Sequence, residues 1–393
     1  MKKIVIIGGS FGGLITAFEI RKRIGRKVEI ILVSDQDEFI FIPSLPWVIA
    51  GWKDPSKIKI PLKKLLASKN IHFIHKKVIK IDCDKLKISV SNEEIPYDYL
   101  VIATGSAFSF DAIDGMGPSK YTHSVLTLSH ALKAKESLKS LLSNNKGDIV
   151  LGNAQGASCL GPSYELAMMF DTLLRRAKIR NSFKLHLFSP EPYLGHFGIG
   201  GIGKYRRAIE DEFYERDIFT HLNAEIEGIT PKTIELKDKT ILNYDFSIIM
   251  PAFKGVDAIF NSDSIGNTKG FIPADEYYRH PKFQNIYTVG VAMAMSPPEI
   301  TKVPVGVPKT GNMTQQMAIA AASHIISDIK GEQPSKTKPL SVACIADAGN
   351  TGIIFKLNPV LPPREKIYFK KAKWAHFAKE IFEKYFMWKI KNW

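Results

Sequence analysis

The sequence predicts an α/β fold of two Rossmann-like dinucleotide-binding domains, the second inserted in the first, followed by a C-terminal amphipathic membrane-binding segment. Three observations carry this. The chain opens with an apolar run, a glycine-rich turn and a helical pattern; a second unit of the same plan starts near Asp148; and the stretch Arg364 to Trp393 interleaves basic and aromatic residues. At 393 residues the chain is longer than one ordinary domain, and 45% hydrophobic with 24% charged residues excludes disorder. Three cysteines cannot form a disulfide scaffold, so a thiol that matters here is catalytic or redox-active.

The expected divisions are 1–112 and 243–335 for the two parts of the first domain, 113–242 for the inserted domain and 336–393 for the C-terminal segment. Lys3 to Ile7 forms the first strand, and Gly8-Gly9-Ser10-Phe11-Gly12-Gly13 turns into a helix from Leu14 to Arg23. Such glycines let the backbone approach a pyrophosphate, whose charge the helix N-terminus stabilises. Ser10 replaces the second glycine of the usual fingerprint. After the strand Val28 to Val33, Ser34 stands where an acid binds the ribose, with Asp35 as the nearest substitute. The apolar start is cut short by Gly8 and has no small-residue cleavage site, so it reads as a buried strand and not as a cleaved signal peptide. Cys83 reads as an ordinary strand or turn residue.

Thr127 to Leu142 reads as a helix, Asp148 to Leu151 starts the second unit and Lys184 to Phe188 is its next strand. The turn Gly152 to Gly156 lacks the glycine spacing, and Ser189 follows where an acid should. A tight pyrophosphate fit and a ribose anchor are thus both missing. Cys159 falls at the start of the next helix, whose dipole would favour a thiolate; a small buried residue beneath the helix is the alternative. Asn243 to Pro251 marks the return. Val303-Pro-Val-Gly-Val-Pro-Lys-Thr-Gly311 is a rigid loop around Lys309, read either as a ligand for an anionic ring or as a surface lysine, and a helix from Met313 to Ile329 closes the domain.

A formal net charge of +15 calls for an anionic partner. No helix-turn-helix, zinc-finger or RNA-recognition signature is present, so nucleic acid is not expected. The tail favours a lipid surface: Phe377, Ile381, Lys384 and Trp388 follow a helical step. A helix packed on the body or on a dimer partner is the alternative. With no run of about 18 apolar residues, the expected location is peripheral (monotopic) on the cell membrane.

Several segments make the chain similar to one family: Phe41-Ile-Pro-Ser-Leu-Pro-Trp-Val48, Gly156-Ala-Ser-Cys-Leu-Gly-Pro-Ser-Tyr-Glu165, Glu191-Pro-Tyr-Leu-Gly-His196, Pro251-Ala-Phe-Lys-Gly255, Val307-Pro-Lys-Thr-Gly311 and Cys344-Ile-Ala-Asp-Ala-Gly349. Through essentially its whole length the sequence resembles the sulfide:quinone oxidoreductases, membrane-bound flavoproteins of the two-dinucleotide-fold disulfide reductase superfamily. Tyr97 to Gly105 and Asn285 to Ala292 resemble that superfamily's returns to the flavin, with Val291 replacing an acid.

The resemblance implies FAD held by Gly8, Gly9, Ser10, Phe11, Gly12, Gly13, Ser34, Asp35, Pro43, Val78, Ala103, Thr104, Gly105, Gly290, Lys309, Thr310 and Gly311, and no metal. It implies a quinone acceptor near Pro43, Gly306, Ile345, Phe382 and Phe386. Cys159 and Cys344 correspond to a disulfide or sulfur-bridged pair, Glu165 to a carboxylate beside it, and His130 and His196 to histidines near the sulfide and quinone sites. Hydrosulfide would attack the bridge, Cys159 would carry sulfur, Cys344 would present its thiolate to the flavin, and Lys309 would stabilise the reduced ring.

Two departures stand out. Leu126 falls where many members have a third cysteine, and the tail stops at Trp393, so membrane attachment relies on fewer residues or on a homo-oligomer. The competing readings are a type II NADH:quinone oxidoreductase, the flavin subunit of a sulfide dehydrogenase and a non-catalytic flavin-binding interaction protein.

Overall fold

The computed structural model describes residues 1–393. The first sheet is parallel, in the order Ile286–Thr288, Tyr99–Ile102, Lys2–Ile7, Val28–Ser34, His72–His75. Its central strands are apolar on both faces because both are covered. Ile4 and Ile6 face a core shared with the helices Phe11–Ile24 and Gly311–Lys330, whereas Val5 and Ile7 face an antiparallel layer of Val78–Asp82, Lys87–Val90 and Glu93–Pro96.

The second unit repeats this plan. Its parallel sheet runs Ile218–His221, Phe183–Phe188, Gly147–Asn153, Phe246–Met250, with the helix Gly161–Arg176 packed into the main core and an antiparallel layer (Ile226–Ile229, Thr233–Leu236, Ile241–Asn243) on the other face. The strand Phe246–Met250 hydrogen-bonds to Gly147–Asn153, so the inserted unit ends after Met250 and the expected boundary at 242 is too early. The polar turn at Asn243 connects two elements within the unit; it does not leave it. Ala107–Phe108 and Phe253–Lys254 then pair antiparallel where the two crossings meet.

The C-terminal segment forms an antiparallel sheet (Val342–Asp347, Gly352–Asn358, Lys366–Ala372) followed by the helix Trp374–Asn392. Ala375, Lys379, Glu383, Phe386, Met387 and Ile390 are buried along one face of that helix, while Trp374, Phe377, Ile381, Phe382, Tyr385 and Trp388 are exposed on the other. The helix is therefore both docked and unpartnered. No helix is long and apolar enough to cross a membrane.

Candidate active site

The first site lies where the chain leaves the first strand. Gly8 adopts φ +112°, and a Cβ there would lie 2.2 Å from the Ala103 carbonyl oxygen; a Cβ on Gly13 would lie 1.9 Å from that of Gly8. Glycine is therefore required at both positions. Ser10 makes no side-chain capping bond, which leaves the first N–H groups of the helix Phe11–Ile24 free for an anion. A second helix start meets it: Thr310 Oγ1 accepts from the Met313 N–H (3.3 Å), and a Cβ on Gly311 would touch the Phe11 ring. Gly290 (φ +73°) donates its N–H to the Met317 sulfur, and Thr104 and Gly105 follow the strand Tyr99–Ile102.

Lys309 is half-buried, with its ammonium 5.2 Å from the Phe271 ring centroid and no carboxylate in salt-bridge range; burial lowers its pKa to about 8. A lysine so placed fits an anionic ring or phosphate. Ser34 accepts from the Gln36 N–H (3.0 Å), Asp35 is exposed, Val78 is buried at the start of the antiparallel layer and Pro43 is exposed. Together the glycine cradle, the paired helix starts and the unpartnered lysine fit a flavin dinucleotide. Gly8→Ala is expected to give soluble protein that purifies without FAD, checked by the flavin-to-protein absorbance ratio, because the added methyl collides with backbone.

The corresponding turn of the second unit is closed by the chain itself. The Gly156 N–H donates to the Pro304 carbonyl (2.6 Å), and the Gly306 N–H donates to that of Ala157 (2.9 Å). A Cβ on Gly152 would lie 2.2 Å from the Phe188 ring, and one on Gly306 would meet Ser158. Gly306 thus belongs with the cysteine turn, and its nearest neighbours are not tail rings. Ser189 donates to Glu191 (2.6 Å), which is fully buried and also accepts from Tyr164 and the Phe197 N–H, so the nearby acid is committed inside the protein.

His196 is buried, paired with Glu299 (2.8 Å), and its Nδ1 accepts from the Gly198 N–H. His130 lies between the rings of Phe108 and Phe110, where burial lowers its pKa, and its Nδ1 has no partner. Neither hydrogen-bonds to Cys159, Cys344 or Glu165. Leu126 is a core residue.

Cys159 precedes the helix Gly161–Arg176, with Leu160 at the N-cap position. Burial pushes its thiol up to about 11, opposite to the depression expected from the helix dipole. Desolvation wins because Cys159 stands outside the first turn, where the dipole's field is already fading. Cys344 sits in the strand Val342–Asp347, opposite Phe355. Burial pushes it up to about 12, and the charges of Glu165 and Cys159 add to that rise, so the three groups share one neighbourhood. All three cysteines are unbridged.

Glu165 ties the two cysteine-bearing elements together. From the helix that follows Cys159, it accepts the Asp347 N–H at the end of the Cys344 strand (3.2 Å) and pairs with Lys379 of the C-terminal helix. Burial raises its pKa, with Lys379 opposing. Asp347 accepts from the Trp47 indole (2.6 Å) and binds His376 (2.8 Å), while Glu383 pairs with Lys53 (2.8 Å) and accepts the Ser44 hydroxyl.

Lys379, Glu383 and His376 are absent from the site residues expected from sequence, and Trp47 and Asp347 lie in the segments that carry the resemblance but have no expected role there. Their signal was present: Ala375, Lys379, Glu383 and Phe386 recur at helical spacing on the inner face. Phe386 is buried against Phe11 (5.1 Å) and Phe41 (5.4 Å), and Phe382 lies half-exposed beside Phe41 (6.1 Å). An aromatic path therefore joins the outer helix to the glycine turn. Ile345 is next to Cys344 in the same strand.

Residues 2–170 match the pyridine nucleotide-disulphide oxidoreductase family. The chain is 39% identical over 398 residues to the sulfide-quinone reductase of Aquifex aeolicus (strain VF5), covering 100% of this chain and 91% of that one. The X-ray structure of the sulfide:quinone oxidoreductase from Aquifex aeolicus superposes with a TM-score of 0.95 at 38% identity, over 100% of this chain and 92% of that one. The NDH2 of Plasmodium falciparum in complex with NADH shares the fold, with a TM-score of 0.77 at 16% identity over 100% and 96% of the two chains. A turn sealed by its own loop, two cysteines beside a buried carboxylate and full-length similarity converge on one conclusion: this chain belongs to the sulfide:quinone oxidoreductase family.

Proposed function

We infer that this protein oxidises sulfide and passes two electrons through FAD to a quinone. The observation that carries this is the gathering of Cys159, Cys344 and Glu165 at one place, with Asp347 and Glu165 linking the two cysteine-bearing elements. FAD, when bound, accepts an electron pair from sulfur and releases it to the quinone. Hydrosulfide attacks the Cys159–Cys344 bridge; the S–S bond breaks, a persulfide forms on one sulfur and the other leaves as a thiolate. We assign Cys159 as the sulfur carrier and Cys344 as the thiolate, because Glu165 stands beside Cys344 to hold or release the accompanying proton. Burial raises the pKa of a free Cys344 thiol, so the thiol form is favoured there at neutral pH, whereas cleavage of the bridge delivers the sulfur directly as a thiolate.

We place the quinone among Pro43, Ile345, Phe382 and Phe386, supported by the aromatic path to Phe11. Lys309 is assigned to the negative charge of the reduced cofactor, and His130 and His196 to the margins of the site. The outer face of the C-terminal helix, with Phe377, Ile381 and Trp388 each at least 60% exposed, is assigned to a lipid surface, giving a peripheral protein on the cell membrane. Replacing these three residues by glutamate is expected to lower partitioning onto anionic vesicles about a hundredfold or more, since each ring or branched chain contributes about 1–2 kcal/mol when it enters the interface. Sedimentation with vesicles measures this; an unchanged partition, or self-association without vesicles that covers the same rings, contradicts it.

A further inference from the structure

Around the Trp47 indole lie three buried carboxylates, Glu165, Asp347 and Glu383, and two ammonium groups, Lys379 and Lys53, which stand 4.9 and 5.1 Å from the ring centroid. Glu165 pairs with Lys379, Glu383 pairs with Lys53, and Asp347 takes the indole N–H. The two ion pairs leave the Asp347 carboxylate without an ammonium partner, and Asp347 joins the region to His376 by its side chain and to Glu165 by its backbone N–H. Among these carboxyls, burial raises the pKa of Glu165, which makes it the group suited to hold a proton. The cluster has two ends. Glu165 lies at the inner end, beside Cys344. His376 lies at the outer end, with Nδ1 2.8 Å from Asp347 Oδ1, and its ring lines an open pocket of about 480 Å³ with Arg176, Asn350, Thr351, Lys373 and Phe377.

The reaction needs such a route. Oxidation of hydrosulfide releases two electrons and one proton, whereas reduction of the quinone to the quinol consumes two of each. Every turnover on hydrosulfide therefore draws one proton from water into a buried site.

We propose that His376, held by Asp347, is the port through which protons pass between solvent and the buried Glu165–Lys379 pair. This rests on the sulfide and quinone chemistry inferred above. The charged groups around the imidazole are Asp347 from the strand, Glu380 from the same helix, itself paired with Lys384, and Arg176 and Lys373 in the wall of the open pocket, so the ring stands between a buried carboxylate and solvent. His376 acts through Glu165 and is a positioning residue for proton transfer.

His376→Gln keeps a donor toward Asp347 but cannot carry a proton, and His376→Ala opens room for imidazole. Both are expected to lower turnover with sulfide and quinone about tenfold or more with KM for sulfide little changed, and added imidazole is expected to restore His376→Ala but not His376→Gln. Infrared spectroscopy of the resting holoenzyme supplies a readout without turnover. The Glu165 carboxyl band, identified by its loss in Glu165→Gln, should exchange hydrogen for deuterium quickly in the wild type, slowly in both variants, and quickly again in His376→Ala with imidazole.

Unchanged exchange, no Glu165 carboxyl band, or a loss of turnover that imidazole leaves untouched would overturn the proposal and leave His376 as a helix anchor. The exchange measurement uses neither sulfide nor quinone, so it separates failure of the port from failure of the sulfide reaction.

Discussion

Cys159→Ser and Cys344→Ser are each expected to lower sulfide-dependent quinone reduction by about a thousandfold or more while FAD stays bound, as measured by steady-state quinone reduction and the flavin spectrum. The expectation follows from the environment of both sulfurs. Burial pushes the thiols up to about 11 and about 12, which favours the unreactive thiol form of each at neutral pH. A bridge between them accepts hydrosulfide and releases a thiolate, and a single serine removes the bridge. The atoms that crowd Gly8 and Gly13 come from Ala103, Thr104, Gly8 and Ile6 and from neither cysteine, so the cofactor should remain. Substantial activity in either variant would mean that sulfide reduces the flavin without the pair.

Lys379→Met is expected to produce the largest loss of stability. It leaves Glu165 buried without its cation, which costs about 3–5 kcal/mol if the carboxylate stays charged. The loss depends on pH in a definite direction. Burial already raises the Glu165 pKa against the pull of Lys379, and removing Lys379 raises it further. A carboxyl whose folded pKa lies above its unfolded value favours the fold below the unfolded value, and that contribution disappears as pH rises through the folded value. The variant should therefore approach wild-type stability in mild acid and fall well below it in mild alkali, as read from urea denaturation midpoints. Glu165→Gln in the same chain should recover most of the loss. An equal deficit at all pH values would mean that Lys379 acts only through packing on Trp47.

The opening turn was legible because its geometry tolerates nothing but glycine at Gly8 and Gly13, and that requirement is written directly in residue type. The second turn was legible by what it lacks, but sequence could not reveal that Pro304 and Gly306 seal it, since those contacts join segments distant along the chain. Spacing along the tail identified the exposed rings. It missed Lys379 and Glu383, because charged residues on a terminal helix are ordinarily solvated, and their burial depends on Glu165, Lys53 and Ser44 from other elements. Position along a helix predicted a lowered Cys159 pKa. Burial, which only the folded chain defines, reverses the sign. Polar Asn243 resembled a domain edge, yet the next strand, all of it buried, completes the second sheet.

Anaerobic titration of the purified flavoprotein with sulfide, followed by quinone, tests most directly whether electrons enter from sulfur at Cys159 and Cys344. Stepwise bleaching of the flavin by sulfide, full recovery on adding quinone and no bleaching by NADH are the predicted results. A flavin untouched by sulfide but bleached by NADH would contradict them.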